Sequence, residues 1–176
     1  VIRKETLPAV ELAPGVKAKM YWGKGALISW AKLDPGAEIP KETLPGERIM
    51  LVWSGSVEQL AAGRMTPMGY FEEKSPWSFT PHRDFIYLKK GAENAVKAGP
   101  EGAEIVEIYW PVRADYVQKA GGTPPARTDE TDYGATPSIP EGEVLNYYDV
   151  QFSDLSNGTA NSRLINGAGA QCSFLS

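Results

Sequence analysis

The sequence predicts an all-β protein, built as an antiparallel barrel or sandwich. Two observations carry this prediction. The 176 residues include 18 Gly and 14 Pro, a turn-rich composition, and apolar runs of strand length recur about every 8–12 residues without helical periodicity. Hydrophobic residues make up 42% of the chain and charged residues 23%, which is typical of a folded domain with its own core.

The predicted strands follow one another through the first two thirds of the chain. The first covers 25–33 and ends at Asp34-Pro35-Gly36, a sequence that favours a turn. The next strands are predicted at 48–53, 56–60, 85–88 and 104–110, the last of them stopped by Pro111. Short helices are predicted only around 60–62 or 116–119.

A change of composition divides the chain. Residues 117–149 are polar and rich in Pro and Gly, which is typical of a linker, and an ordered pattern resumes at 147–150. We therefore predict a first domain over 1–116, a linker over 117–149 and the opening strands of a second domain over 150–176.

The end of the chain resembles its beginning. Residues 20–30 match residues 164–174 at a constant offset of 144, which places Gly23 on Gly167 and Gly25 on Gly169. An internal repeat at this spacing indicates a second copy of one domain. The alternative is a chance match, because Gly-x-Gly flanked by apolar residues is common.

Charge and residue counts exclude several function classes. The net charge is −4 and no basic cluster is present, so binding to nucleic acid is excluded, because phosphates need a positive face. The longest apolar run, 49–53, is far below the roughly 18 residues that a membrane helix needs. The single Cys172 excludes an internal disulfide and a cysteine-based zinc site, and the single His82 excludes a site with two histidines from this chain.

The segment 35–55 resembles the first motif of the cupin family. That motif runs Gly, five residues, His-x-His, three residues, Glu or Gln, six residues, Gly. Every spacing is kept here, at positions Gly36, Glu42, Leu44, Arg48 and Gly55. The segment 89–94 is similar to the second cupin motif and ends on Asn94, where the family has a histidine.

The resemblance covers about residues 8–116 and carries several expectations. Residues 110–116 resemble the close of small sugar-acid cupins of the pectin-degradation type. The family implies a cupin-type antiparallel β-barrel, also called a jelly roll or double-stranded β-helix. Together with the repeat it implies a two-cupin protein, in which 150–176 opens the second cupin.

The chemistry of the metal-dependent family members is not expected in the first barrel. Their metal ligands fall on Glu42, Leu44, Arg48 and Asn94 of this sequence. Leu44 has no donor atom, and Arg48 is a permanent cation that repels a divalent metal. We predict no metal or other cofactor in the first barrel, and expect any divalent metal in the second cupin half.

Strand periodicity gives the candidate pocket. Alternation places Arg48, Met50 and Val52 on one face of their strand, and Ile49, Leu51 and Trp53 on the other. With the family's ligand face pointing inward, Glu42, Arg48 and Asn94 converge, and a charge-assisted Glu42–Arg48 contact is predicted. The candidate ligand-binding residues are Glu42, Arg48, Met50, Tyr87, Asn94 and Glu107, the last expected to face the barrel from between Ile105 and Tyr109. No residue is predicted to be catalytic.

Three functions remain open at this point, and with them whether the protein is an enzyme. In the first, Glu42 and Arg48 form a structural pair in a non-catalytic binding or assembly module. In the second, Arg48 grips a carboxylate or hydroxyl of a sugar acid. In the third, Glu42 acts as a general base without metal.

The predicted partners are a small-molecule ligand and a second protein chain. Apolar strand edges in 150–176 invite pairing with another chain. That chain would be a companion carrying the rest of the second cupin, or a second copy in a homo-oligomer.

Overall fold

The structure, a computed structural model, describes residues 3–75, 78–126, 137, 140–146, 152–154, 161–167, 169 and 171–175. A 3-10 turn at Lys4–Thr6 precedes the first strand, and a short helix, α1 (Ala114–Lys119), follows the eighth. The strands are β1 (Ala9–Ala13), β2 (Val16–Trp22), β3 (Leu27–Leu33), β4 (Glu38–Thr43), β5 (Glu47–Ala61), β6 (Arg64–Ser75), β7 (Ser78–Leu88), β8 (Glu93–Trp110), β9 (Val144–Asn146), β10 (Phe152–Asp154), β11 (Asn161–Asn166) and β12 (Gln171–Leu175). The prediction of an all-β protein is confirmed.

Strands β1 to β9 form one antiparallel sheet organised around two long strands. β5 pairs with β8 along most of its length, and it also pairs with β7 in its first half and with β6 in its second. β8 pairs with β3 at one end and with β4 at the other. Bulges between Val52 and Ser54 and between Gly55 and Val57 bend β5, so that both halves of the strand line one interior.

The two faces of β5 carry separate apolar clusters, as the alternation predicts. Met50 and Val52 belong to the main core inside the barrel. Ile49 and Leu51 belong to a second cluster on the opposite, outer face, together with two side chains of β7, Phe85 and Tyr87. All four residues of this outer cluster are buried. The outer face is therefore as well covered at this place as the interior.

Strands β10, β11 and β12 form a second, three-stranded antiparallel sheet. Its β11–β12 hairpin repeats the β2–β3 hairpin in register. Trp22 pairs with Leu27 in the first hairpin, and Asn166 pairs with Gln171, each 144 residues later, in the second. The strand order is also the same, because β1 precedes and pairs with β2 as β10 precedes and pairs with β11. The described residues of 150–176 thus include three strands, as the sequence predicts for this segment.

Several predicted boundaries differ from the structure. The helix considered at 60–62 is wrong: β5 ends at Ala61, and Ala62, with φ of 49°, starts the turn into β6. The helix considered at 116–119 is confirmed as α1. The stretch 117–149, predicted as a linker, contains the end of α1 and the strand β9, which pairs with β7.

Some of the predictions from the sequence concern residues outside the described ranges. The renewed order predicted at 147–150 and most of the linker core lie outside the described residues. The side chains of His82 and Cys172 lie outside them as well. In the part of the chain that is described, no helix is long and apolar enough to cross a membrane.

Candidate functional site

The fully buried Arg48 side chain is the centre of a polar network inside the barrel. Its Nη1 donates a hydrogen bond to Glu107 Oε1 at 3.2 Å, and both side chains of this ion pair are 0% exposed. Its Nη2 donates to Gln59 Oε1. The Tyr109 hydroxyl donates to the same Glu107 oxygen at 2.8 Å. The two desolvated charges therefore stabilise one another, with help from neutral polar groups.

The network continues from the interior toward the opening of the barrel. Gln59 Nε2 donates to Asn94 Oδ1 at 3.1 Å, and Asn94 Nδ2 donates to Glu42 Oε1 at 3.0 Å. Arg113 Nη1 and Nη2 donate to the two carboxylate oxygens of Glu42, both at 3.0 Å. The same guanidinium donates to Asp115 from Nε at 2.9 Å and from Nη2 at 2.6 Å. A continuous series of hydrogen bonds thus connects the buried Arg48 to the half-exposed carboxylate of Asp115.

The predicted direct contact between Glu42 and Arg48 is wrong. Among the described residues these two side chains form no ion pair, because Arg113 pairs with Glu42 and Glu107 pairs with Arg48. The reason lies in the bend of β5, which brings Gln59 of its second half against Arg48. The position predicted for Asn94 is confirmed, since its amide lies between Gln59 and Glu42.

The remaining candidates lie on both faces of the sheet. Glu107 faces the interior, as expected from its place between Ile105 and Tyr109. Met50 is buried in the main core on the same face as Arg48. Tyr87 lies in the outer cluster, where its hydroxyl donates to Glu47 Oε2 at 3.2 Å. The structure therefore separates Tyr87 from the other candidates, because neighbouring positions of a strand point to opposite faces.

Sequence reasoning missed several members of the network. They are Gln59, Tyr109, Arg113, Asp115 and Tyr116. Gln59 alternates with the apolar Val57 and Ala61, and a polar residue at an inward position was the signal that could have found it. Arg113 follows a strand that ends at Trp110, and no periodicity predicts the direction of a side chain in such a connection.

The four metal-ligand positions of the cupin motifs do not suit a metal ion. Leu44 is buried without a donor atom, and the guanidinium of Arg48 occupies the interior. Glu42 and Asn94 are the only oxygen donors of the set, and both already take part in the network. No group of three or more His, Cys, Asp or Glu able to hold a metal occurs within the described ranges. This donor set does not fit a protein-held transition metal.

A pocket opens where the network reaches the surface, and we call it the mouth pocket. Its volume is about 510 Å³. Its charged lining residues are Lys24, Glu42, Arg113 and Asp115. Thr43 and four prolines, Pro45, Pro111, Pro124 and Pro125, also line the pocket. Two cations and two carboxylates leave this pocket without net charge.

The Arg113 guanidinium is held from several sides. It lies 4.1 Å from the Tyr116 ring centre and 5.3 Å from that of Tyr109. Burial lowers the pKa of Arg113, but hydrogen bonds to Asp115 and Glu42 outweigh it and raise the pKa overall. Burial likewise raises the pKa of Asp115, but its hydrogen bond and charge interaction with Arg113 leave it below its usual value. The Arg113–Asp115 pair is therefore ionised at neutral pH.

Alkaline pH is expected to destabilise the fold through the tyrosines beneath Arg113. Burial, and then the charge of Glu107, raise the pKa of Tyr116 well above its usual value. The folded protein then binds more protons than the unfolded chain above about pH 10, so stability falls as pH rises beyond that point and is unaffected below it. Urea unfolding at about pH 8, 10 and 11 measures this loss. The Tyr116→Phe variant should show a shallower decline, and an equal decline in both proteins would contradict the assignment.

Comparison with known proteins identifies the fold. The sequence matches no family model and no curated protein. An RmlC-like cupin from Shewanella frigidimarina is similar with a TM-score of 0.54 and 14% identity, over 66% of this chain and 94% of that one. KdgF from Halomonas sp. is similar with a TM-score of 0.52 and 13% identity, over 65% and 94%. AerE from Microcystis aeruginosa is similar with a TM-score of 0.59 and 11% identity, over 92% of this chain and 60% of AerE.

These similarities agree with the motif spacing and with the sheet. The first cupin motif, 36–55, begins in the turn before β4 and runs through β4 into β5, and the second motif, 89–94, runs from the turn after β7 into the start of β8. Backbone hydrogen bonds join the two motifs, from Leu44 N to Ala92 O and from Gly91 N to Leu44 O, both at 2.9 Å. The chain therefore has the cupin fold.

Proposed function

We propose that this barrel binds a small sugar acid at the mouth pocket, without a metal ion held by the barrel itself. The observation that carries the proposal is the lining of the pocket, in which Lys24 and two carboxylates, Glu42 and Asp115, border one cavity of about 510 Å³. Cavities of about 300–1,000 Å³ are typical of small-molecule sites.

The lining suits a ligand that has both hydroxyl groups and a carboxylate. Carboxylate oxygens accept several hydrogen bonds, so Glu42 and Asp115 can accept from ligand hydroxyls while they still hold Arg113. Lys24 has no ion-pair partner within the described part of the chain, and its ammonium group is placed to pair with a ligand carboxylate. The resemblance of residues 110–116 to sugar-acid cupins favours the same ligand class.

Arg48 has an indirect role in this proposal. Its side chain is fully buried, and Nη1 and Nη2 are bonded to Glu107 and Gln59, so a ligand would have to break this network to reach it. Arg48 instead fixes the amides that lead to Glu42. In this proposal Lys24 contacts the carboxylate of the ligand, in place of Arg48, for which the sequence suggested that contact.

A second candidate function is a binding or assembly module that takes no small molecule. The observation that favours it is the buried Arg48–Glu107 pair, which fills the place where metal-dependent cupins carry out their chemistry. In this case the barrel acts as a scaffold, and its mouth pocket has no specific ligand.

Calorimetric titration of chelator-washed protein distinguishes the two functions. D-Galacturonate and D-glucuronate are compared with the uncharged D-galactose and D-glucose. We expect the acids to bind more tightly than the sugars, and Lys24→Gln to weaken binding of the acids about fivefold, which corresponds to about 1 kcal/mol. The matched control is Lys97→Gln, which removes the same charge at an exposed pair with Glu38 and should leave binding unchanged.

The opposite results would overturn the proposal. Equal binding of acids and sugars, or an equal effect of Lys24→Gln and Lys97→Gln, would remove the assigned role of Lys24. No binding of any of the four compounds would favour the assembly module. Binding that requires added metal would contradict a metal-free site.

A further inference from the structure

The outer face of β5 and β7 is covered, although it lies outside the barrel. Ile49, Leu51, Phe85 and Tyr87 have exposed fractions of 4% or less. Val106, Ile108 and Leu145 pack against these four residues. Burial this complete on an outer sheet face is typical of an interface between two packed layers.

The edge of this face holds a buried carboxylate in contact with the second sheet. Glu47 is 3% exposed, and it accepts hydrogen bonds from the Tyr87 hydroxyl at 3.2 Å and from the Gly169 backbone N–H at 2.9 Å. Gly169 lies in the turn between β11 and β12. One carboxylate thus joins the outer cluster of the barrel to the hairpin of the second sheet.

The contact is close enough to favour glycine at two positions of that turn. A Cβ atom on Gly167 would lie 2.7 and 2.8 Å from the two carboxylate oxygens of Glu47, and a Cβ on Gly169 would overlap the ring of Trp110. A side chain at either position would have to displace Glu47 or Trp110, because the backbone of the turn lies directly against these two side chains.

The repeat provides a built-in comparison for this requirement. Gly23 and Gly25 occupy the same places in the β2–β3 turn, 144 residues earlier. A Cβ on Gly23 would meet nothing within 4 Å, and one on Gly25 would lie 3.9 Å from Trp110 Nε1, an ordinary contact. The two turns share a register and a sequence pattern, but only the second one needs its glycines for close approach.

We propose that Glu47, Tyr87 and Trp110 form the docking site for the sheet β10–β12 of the same chain, and that Gly167 and Gly169 determine this docking. The occupant is the chain's own second sheet, because the Gly169 N–H is bonded to Glu47 within one molecule. The Glu47 carboxylate fixes the position of the turn, since a buried charge needs its hydrogen bonds. This docking holds the start of the second repeat against the first barrel.

Limited trypsin digestion of the full chain tests the proposal. Arg163 lies in β11, so cleavage after it, followed by mass spectrometry, reports release of the second sheet. We expect Gly169→Ala to speed this cleavage at least about tenfold, because docking limits local opening. Gly25→Ala is the matched control at the equivalent repeat position and should cleave like the wild type. Circular dichroism checks that the barrel of each variant is folded.

Two further measurements keep the test decisive. Exchange of the Gly169 amide should be slow in the wild type and faster in Glu47→Gln, because the neutral amide is a weaker acceptor than the carboxylate. Digestion at several protein concentrations should show that protection of Arg163 does not depend on concentration. Light scattering at the same concentrations gives the oligomeric state. Equal cleavage of Gly169→Ala and Gly25→Ala, or protection only in a dimer, would overturn docking within one chain.

Discussion

Replacement of Arg48 by Ala is expected to lower the free energy of unfolding by about 3–5 kcal/mol, because it leaves a buried charge without its partner. Glu107 is fully buried and pairs with Arg48 at 3.2 Å. In the variant its carboxylate keeps only the hydrogen bond from Tyr109, and the acceptor oxygen of Gln59 loses its guanidinium. Urea unfolding of the wild type and the variant at neutral pH measures the difference.

The double variant Arg48→Met/Glu107→Leu is the informative control. It removes both charges together, and apolar replacement of a buried pair is often neutral or stabilising, so we expect it to recover most of the loss. Lys97→Ala breaks an exposed pair with Glu38 and should cost less than about 1 kcal/mol. A loss below about 1 kcal/mol for Arg48→Ala would mean that the Arg48–Glu107 pair is hydrated in solution.

Replacement of Gly55 by Ala is expected to cost about 3 kcal/mol or more, from backbone strain and a steric clash together. Gly55 has φ of +72° at the bend of β5. A Cβ there would overlap the carbonyl oxygen of Gly102 and lie 3.0 Å from Ala103 Cα. Both neighbours are backbone of β8, the strand that carries Glu107, so they cannot move without disturbing the pairing of β5 with β8.

The Gly63→Ala variant separates the cost of backbone strain from the cost of the steric clash. Gly63 has nearly the same φ, +76°, in the turn between β5 and β6, and a Cβ there would meet nothing within 4 Å. The substitution should therefore cost only the strain, about 1 kcal/mol. Thermal or urea unfolding of the two variants compares them directly. Equal losses of stability in the two variants would show that the β8 backbone moves to accommodate the added methyl group, so that the steric clash costs little.

The motif spacing predicted the cupin barrel correctly because backbone requirements fix it. Gly36, Gly55 and Gly91 all have positive φ, a conformation that glycine adopts without the strain other residues suffer. The sequence therefore located the turns at Gly36 and Gly91, but the break predicted between strands 48–53 and 56–60 is wrong, because Gly55 bends the continuous strand β5 without ending it. Alternation along β5 likewise follows from the strand period, which is why the faces of Met50 and Ile49 were predicted correctly.

The partners of the charged side chains could not be predicted in the same way. Glu42 and Arg48 fall on two metal-ligand positions of one cupin motif, and their expected convergence inside the barrel suggested a pair. The bend of β5 and the path of the chain after β8 decided otherwise, by bringing Gln59 to Arg48 and Arg113 to Glu42. Such pairings depend on contacts between residues far apart in the chain, such as Arg113 and Glu42, 71 positions apart.

The all-β fold, the faces of the strands and the repeat at an offset of 144 could be read from the sequence, and the resemblance to the cupin motifs added the four ligand positions, whose side chains do not suit a metal. Each of these follows from local properties: turn chemistry, the period of a strand, the donor atoms of a side chain, and a matching order of residues. The pairing of the charges, the lining of the mouth pocket and the contact of Gly169 with Glu47 could be learned only from the three-dimensional structure. Those choices depend on the three-dimensional path of β5 and β8, since a buried charge is stabilised by whichever partner the fold brings within hydrogen-bonding distance.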